Sequence, residues 1–171
     1  RVGEAARVLL RELDQFGQPF GEGGVDLGIA CGVGAFQLAR NLCRQQQVPM
    51  LALNCNRPLV TRVGKDGWDA VPEEERDGLT PAAEATIAYR EYLFGLGLNR
   101  APTAPVSAMD PKLDRFIRAQ QTWDRAFACN IARALERPAP PLVIGIIGRG
   151  HLEYGHGTPY QLRDLGIASS A

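Results

Sequence analysis

The chain has 171 residues, 19 acidic and 19 basic side chains, and no net charge at neutral pH. That length fits one domain, or a larger domain with a small satellite, and permits a core that needs no staples. The balanced charge supplies no field to draw the chain onto nucleic acid or an anionic membrane surface, so nucleic acid is dropped as a partner. No run of about 18 apolar residues is present to span a bilayer, and Arg1-Val2-Gly3-Glu4 lacks the layout of a secretory signal. A chain that starts without Met is expected to have a trimmed or processed end, so a signal or lipid-anchoring Cys could have been lost from view.

Residues Glu4 to Gln15 set Ala6, Leu9, Leu10 and Leu13 at helical spacing, and Gly17 with Pro19 stops the pattern, which predicts an amphipathic helix. Val25 to Ala30 reads as a short strand after the Gly21–Gly24 turn. Phe36 to Gln47 predicts a helix that feeds a buried strand at Val48–Leu53. Asn56 followed by Pro58 predicts a capped helix start with Leu59, Val60 and Val63 on the apolar side, and Thr80-Pro81 predicts the same for Ala82 to Phe94. Leu96 to Ala108, with Gly97, Pro102 and Pro105, reads as a linker.

Asp110-Pro111 opens the longest predicted helix, which ends near Arg137 before Pro138, Pro140 and Pro141. Its stripe is Leu113, Ile117, Phe127, Ile131 and Leu135, and Gln120 with Asp124 interrupt it. Those two either bond to neighbouring backbone or edge a pocket, and we expect them to face the same cavity as the loop described next. Leu142 to Ile147 is the clearest strand, expected to be central and buried. Gly148 to Gly157 follows as a loop at its carboxyl end. Thr158-Pro159-Tyr160-Gln161 predicts a capping box, and Gly166 a stop after two turns. Helix and strand alternate, which is α/β punctuation.

Cys31, Cys43, Cys55 and Cys129 form no Cys-x-x-Cys pair, so small buried thiols are expected, with a disulfide as the alternative in an oxidising compartment. The chain's two histidines, His151 and His156, lie beside Tyr154 and Tyr160 between the last strand and the last helix. Ligands of open α/β sheets bind at that edge, and glycines at 148, 150, 155 and 157 let backbone approach a flat ligand closely. The plainer alternative is that the glycines only turn the chain. Neither glycine cluster has Rossmann spacing, no Walker lysine exists, and no cysteine or serine sits in a triad setting. His151, Glu153 and His156 could donate to a metal, but their spacing differs from the helical His-Glu-x-x-His site.

Four blocks, Leu51-Ala52-Leu53-Asn54-Cys55-Asn56-Arg57-Pro58-Leu59-Val60, Gly67-Trp68-Asp69-Ala70-Val71-Pro72, Ala119-Gln120-Gln121-Thr122-Trp123-Asp124 and the run Gly148 to Pro159, resemble in order the ChaN family of iron-regulated, haem-binding bacterial lipoproteins. The chain resembles a shortened or divergent member, because no histidine precedes His151, where the family carries Gly-Glu-x-His. The resemblance implies an α/β fold, a mostly parallel sheet flanked by helices with a small helical subdomain. We divide the chain into an α/β domain of residues 1–66 and 109–171 and a small helical insertion and linker at 67–108. The resemblance further implies ferric haem as cofactor and a homodimer enclosing two haems. Tyr154 would be the iron ligand, His151 or His156 the propionate partner, and Arg149 a further propionate contact. It implies a periplasmic or outer-membrane location, with membrane contact only through a lipid anchor outside this chain. A non-enzymatic role is expected. The alternatives are a metal-dependent hydrolase of the erythromycin esterase-like fold, against which the missing early histidine counts, and a non-catalytic interaction module.

Overall fold

The computed structural model describes residues 8–13, 37–38, 40–96, 105–136 and 142–168. Its elements are strand β1 (Val8–Leu13), helices α1 (Arg57–Asp66), α2 (Ile87–Gly95) and α3 (Asp114–Leu135), strand β2 (Val143–Gly148) and helix α4 (Thr158–Asp164). Residues 40–45 are also helical, within the predicted Phe36–Gln47 segment. The strand expected at Val25–Ala30, Cys31 and most of the Leu96–Ala108 linker lie outside the described residues.

Helix α3 is the spine, because each of three apolar clusters is built on one of its faces. A 3-10 turn, Pro111–Leu113, leads into it and is capped by Asp110, which accepts from the Lys112 backbone N–H at 2.9 Å. Leu113 and Ile117 pack with Tyr89 and Leu93 of α2. Ala126 and Cys129 pack with Leu59 and Val63 of α1 and with Val71 and Leu79. Phe127, Ala128 and Ile131 pack with Ile147 of β2, Leu152 and Leu162. From the described part of 67–108, Val71, Leu79, Tyr89 and Leu93 are therefore buried in clusters shared with the spine, while Ile87, Leu96 and Val106 are exposed.

Helix α1 approaches α3 closely at Gly64, where a Cβ would lie 3.0 Å from the Arg115 carbonyl oxygen and 3.4 Å from Ala119 Cβ. Arg118 of α3 donates to the Gly64 carbonyl through Nε at 3.1 Å and Nη2 at 2.7 Å, which satisfies an acceptor at the end of α1. At the start of α1 the Asn56 side chain makes no cap bond; its backbone N and Nδ2 instead donate to the Asp77 carboxylate at 2.7 and 2.9 Å.

Five sequence expectations are corrected. The segment read as an amphipathic helix at Glu4–Gln15 contains β1, paired in parallel with β2 from Val8 opposite Val143 to Leu13 opposite Gly148. A short apolar run fits either period, and the ladder offered by β2 decides it. Val48–Leu53 forms no strand, and Val48, Met50 and Leu51 are exposed. Pro49 removes a ladder donor from that run.

The helix expected from Thr80-Pro81 begins at Ile87, capped by Thr86, whose Oγ1 accepts from the Tyr89 backbone N–H at 3.1 Å. Thr80 Oγ1 is engaged by Arg125 Nε at 2.9 Å. Ala83 gives its N–H to Gln161 Oε1 at 2.9 Å, and its carbonyl accepts from Gln121 and Gln161. Tertiary partners thus use the backbone groups that a helical ladder would need. The capping box at Thr158–Gln161 is absent for the same reason, since both side chains are buried and bond across the fold. Gly166, at φ 76°, does end α4: Ile167 N–H donates to Leu162 O and Gly166 N–H to Arg163 O, the paired bonds of a Schellman stop.

Strand β2 is less buried than a central strand was expected to be. Gly145 and Ile147 are buried, and Ile144 and Ile146 are exposed. Cys43, Cys55 and Cys129 are free thiols, of which Cys129 is buried. Burial, then the Asp77 carboxylate, pushes the Cys55 thiol up to about 11, which suppresses its thiolate.

Candidate functional site

The loop after β2 is built from two single 3-10 turns, Arg149–His151 and Glu153–Gly155. Leu152, between them, is buried in the cluster of Phe127 and Leu162 and anchors the loop to α3. Tyr154 has φ 55° and Gly155 φ 69°, so two successive residues turn left-handed. For a tyrosine that conformation costs about 1 kcal/mol or more, and surrounding contacts must hold it. One such contact is Arg163 Nη2, which donates to the Gly155 carbonyl at 3.0 Å.

Beneath the loop lies Asp124, with 0% of its surface exposed. Its Oδ1 accepts from Thr158 Oγ1 at 3.0 Å and pairs with His151 Nδ1 at 2.9 Å, and its Oδ2 accepts from the Tyr89 hydroxyl at 2.6 Å. One carboxylate therefore joins α3, α2, the loop and α4. Burial opposes a charge on His151, but the Asp124 charge and hydrogen bond outweigh it and raise the imidazole above its ordinary value. Burial, then Asp124, holds the Tyr89 phenol protonated far above its usual range.

Gly157 closes this core. A Cβ there would lie 2.6 Å from the His151 carbonyl oxygen and 2.7 Å from Asp124 Oδ1. Neither atom is the loose end of a flexible chain, so Gly157→Ala must displace the loop from α3. We predict a loss of about 1 to 3 kcal/mol of folding free energy by urea denaturation, and a stability equal to wild type would show that the loop moves freely there.

The outer face of the loop carries the aromatic groups. Tyr154 is 74% exposed. Its ring stands edge-on to Tyr92 of α2, with centroids 5.7 Å apart at 80°, and lies 5.9 Å from the His156 ring. His156 also approaches Tyr89 and Tyr92, at 6.2 and 6.4 Å. Arg149 grips Glu153 through Nε at 3.1 Å and Nη2 at 2.6 Å, and the Tyr92 hydroxyl donates to Glu153 Oε2 at 2.7 Å. The Arg149 and Tyr92 bonds hold the Glu153 carboxyl below the usual range, whereas burial and then Glu153 raise the Tyr92 phenol well above its own.

Of the four residues read from the sequence, Tyr154 and His156 come together on the outer face. His151 points to Asp124, and Arg149 pairs with Glu153. Asp124 lies under the loop as its interruption of the apolar stripe suggested, whereas Gln120 is half-buried and has no described bond to the loop. Tyr160 is half-buried, with the Arg163 guanidinium 5.8 Å from its ring centroid. Tyr89 and Tyr92 were not anticipated. Their signal was available, since they stand three apart and share one face of a helix.

Among the described residues, no group of three or more His, Cys, Asp and Glu side chains converges as a metal site, so His151, Glu153 and His156 are not drawn together. A cavity of about 340 Å³ is lined by Trp68, Ile117, Arg118, Gln121 and Arg125 among others, and by no residue of the loop. Tyr154 and His156 thus lie outside that cavity, Tyr154 exposed and His156 half-buried.

Comparison with known proteins gives a match to the family described as haem-binding uptake, Tiki superfamily, ChaN, over residues 36–162. No curated protein and no solved structure matches the chain.

Proposed function

The chain belongs to the ChaN family of haem-binding uptake proteins in the Tiki superfamily, and from that premise we propose that it carries ferric haem on the outer face of the glycine-rich loop, with Tyr154 as the iron ligand. The observation that carries the reading is the exposure of Tyr154 on a left-handed turn beside glycine, where the side chain is open to solvent and its hydroxyl bonds to Glu153, a bond that iron would have to replace. The donor type fits the group: phenolate is a hard anionic oxygen suited to ferric iron, and the rings of Tyr92 and His156 offer apolar edges to a porphyrin. Bound haem would supply the iron centre that uptake requires.

His156 is the better propionate partner of the two histidines, because His151 Nδ1 is already engaged by a buried carboxylate. Arg149 holds Glu153 and could turn toward a propionate only by sharing that bond. A ligand on so open a surface leaves one face uncovered, which supports a homodimer that encloses two haems. We further propose the mostly parallel α/β fold with β1 and β2 adjacent, and an insertion at 67–108 whose role is to bring Tyr89 and Tyr92 to the loop. Action outside the cytoplasm, at the periplasm or outer membrane through a lipid anchor, fits uptake. No helix among the described residues is long and apolar enough to cross a membrane.

A hydrolase is the second reading, favoured by the Asp124–His151 pair, since a carboxylate that orients an imidazole also serves general bases. An absorbance titration with ferric haem tests the first reading. A Soret shift saturating near one haem per chain, with a phenolate charge-transfer band, is expected. The spectrum of free haem persisting at equimolar protein would sink it.

A further inference from the structure

An exposed tyrosine on a loop has several open rotamers, and a ligand that needs its hydroxyl in one place must freeze them. The residue best placed to do so comes from a distant part of the chain. Tyr92 of α2 sets its ring edge-on to Tyr154, with centroids 5.7 Å apart at 80°, the favoured aromatic arrangement. Tyr92 is itself fixed twice. Its ring is stacked with buried Tyr89 at 6.5 Å and 15°, and its hydroxyl donates to Glu153 Oε2 at 2.7 Å, on the carboxylate that Arg149 grips.

That second bond holds the Tyr92 hydroxyl on a carboxylate that Tyr154 also hydrogen-bonds, so the Tyr92 ring is fixed at the place where the Tyr154 side chain must rest.

We infer that Tyr92 is a positioning residue for Tyr154: its ring, held by stacking on Tyr89 and by its own bond to Glu153, fixes the Tyr154 side chain. This rests on the proposed ligand role of Tyr154, and the test separates the two. Tyr92→Phe keeps the ring, and Tyr92→Leu removes it. Because Tyr92 is half-buried, Tyr92→Phe also serves as the folding control.

Two readouts are needed: the ring resonances of Tyr154 in ligand-free protein with labelled tyrosine, and the ferric-haem titration of each variant. Tyr92→Leu should shift the Tyr154 ring resonances, displace or broaden the charge-transfer band and weaken binding about two- to tenfold, whereas Tyr92→Phe should keep the resonances and the band near wild type. Unchanged resonances and band in Tyr92→Leu would overturn the inference, as would equal damage in both variants, which would mean that the hydroxyl alone matters. A wild-type spectrum in Tyr154→Phe removes the ligand role itself, and the inference falls with it by a route that does not involve Tyr92.

Discussion

Tyr154→Phe should abolish the phenolate charge-transfer band of the ferric-haem complex, whereas His156→Ala should leave the band in place and weaken binding by roughly one to two decades. The second figure follows from a charge-assisted hydrogen bond to a propionate, about 1.5 to 3 kcal/mol. The first effect is of another kind, since removing the only proposed protein ligand changes the electronic state of the iron. No other tyrosine is as exposed. Tyr89 is buried and tied to Asp124, Tyr92 donates to Glu153, and Tyr160 sits half-buried in the first turn of α4. His151→Ala should act through the loop, because its partner is the buried Asp124. Absorbance spectra of the three variants at matched haem saturation decide the matter. A wild-type spectrum in Tyr154→Phe together with a lost band in a histidine variant would make histidine the ligand.

Much of the candidate site's local geometry was legible because its residues are close in sequence. His151, Tyr154, His156 and the glycines are consecutive in the chain, and a β-branched run before them with a proline-opened helix after them places the loop without long-range information. The spine helix was equally readable, because its apolar period persists over six turns. Asp124 announced itself as a polar residue on an apolar stripe, yet Gln120 gave the same signal and is only half-buried. A stripe shows which face is inward, and it does not show where along the helix the partners stand.

The misread boundaries share one cause. Thr80, Thr158 and Gln161 were assigned to local caps, and each spends its side chain on a residue more than thirty positions away. A cap contributes about 1 kcal/mol, and an unpaired buried arginine or carboxylate costs more, so Arg125 and Asp124 win those side chains. The aromatic wall was hidden likewise, for Tyr92 and Glu153 are 61 residues apart. The β1 strand was missed because four apolar residues in a short segment satisfy a helical period as well as a strand.

The buried carboxylate supplies the largest predicted effect on stability. Asp124→Ala leaves the Tyr89 hydroxyl, the Thr158 hydroxyl and His151 without their shared acceptor, and loss of one partner from a buried charged pair costs about 3 to 5 kcal/mol. Urea denaturation of the ligand-free protein should show that loss, or no folded baseline at all. Its pH dependence carries a sign that a merely structural defect would lack. In the wild type the His151 pKa is raised above the ordinary 6.5, so the folded chain holds its proton more tightly than the unfolded chain does. The resulting stability is fully present below about pH 6.5 and is lost as pH rises through the folded value. His151→Gln should remove this slope, and the difference between the two proteins isolates it from other titrating groups. In Asp124→Asn the charge is gone while the burial remains, and burial alone lowers an imidazole pKa. That variant should then lose stability as pH falls below about 6.5, the reverse of wild type. Equal slopes in wild type and His151→Gln, or a wild-type slope in Asp124→Asn, would mean that the pair does not hold the loop by charge.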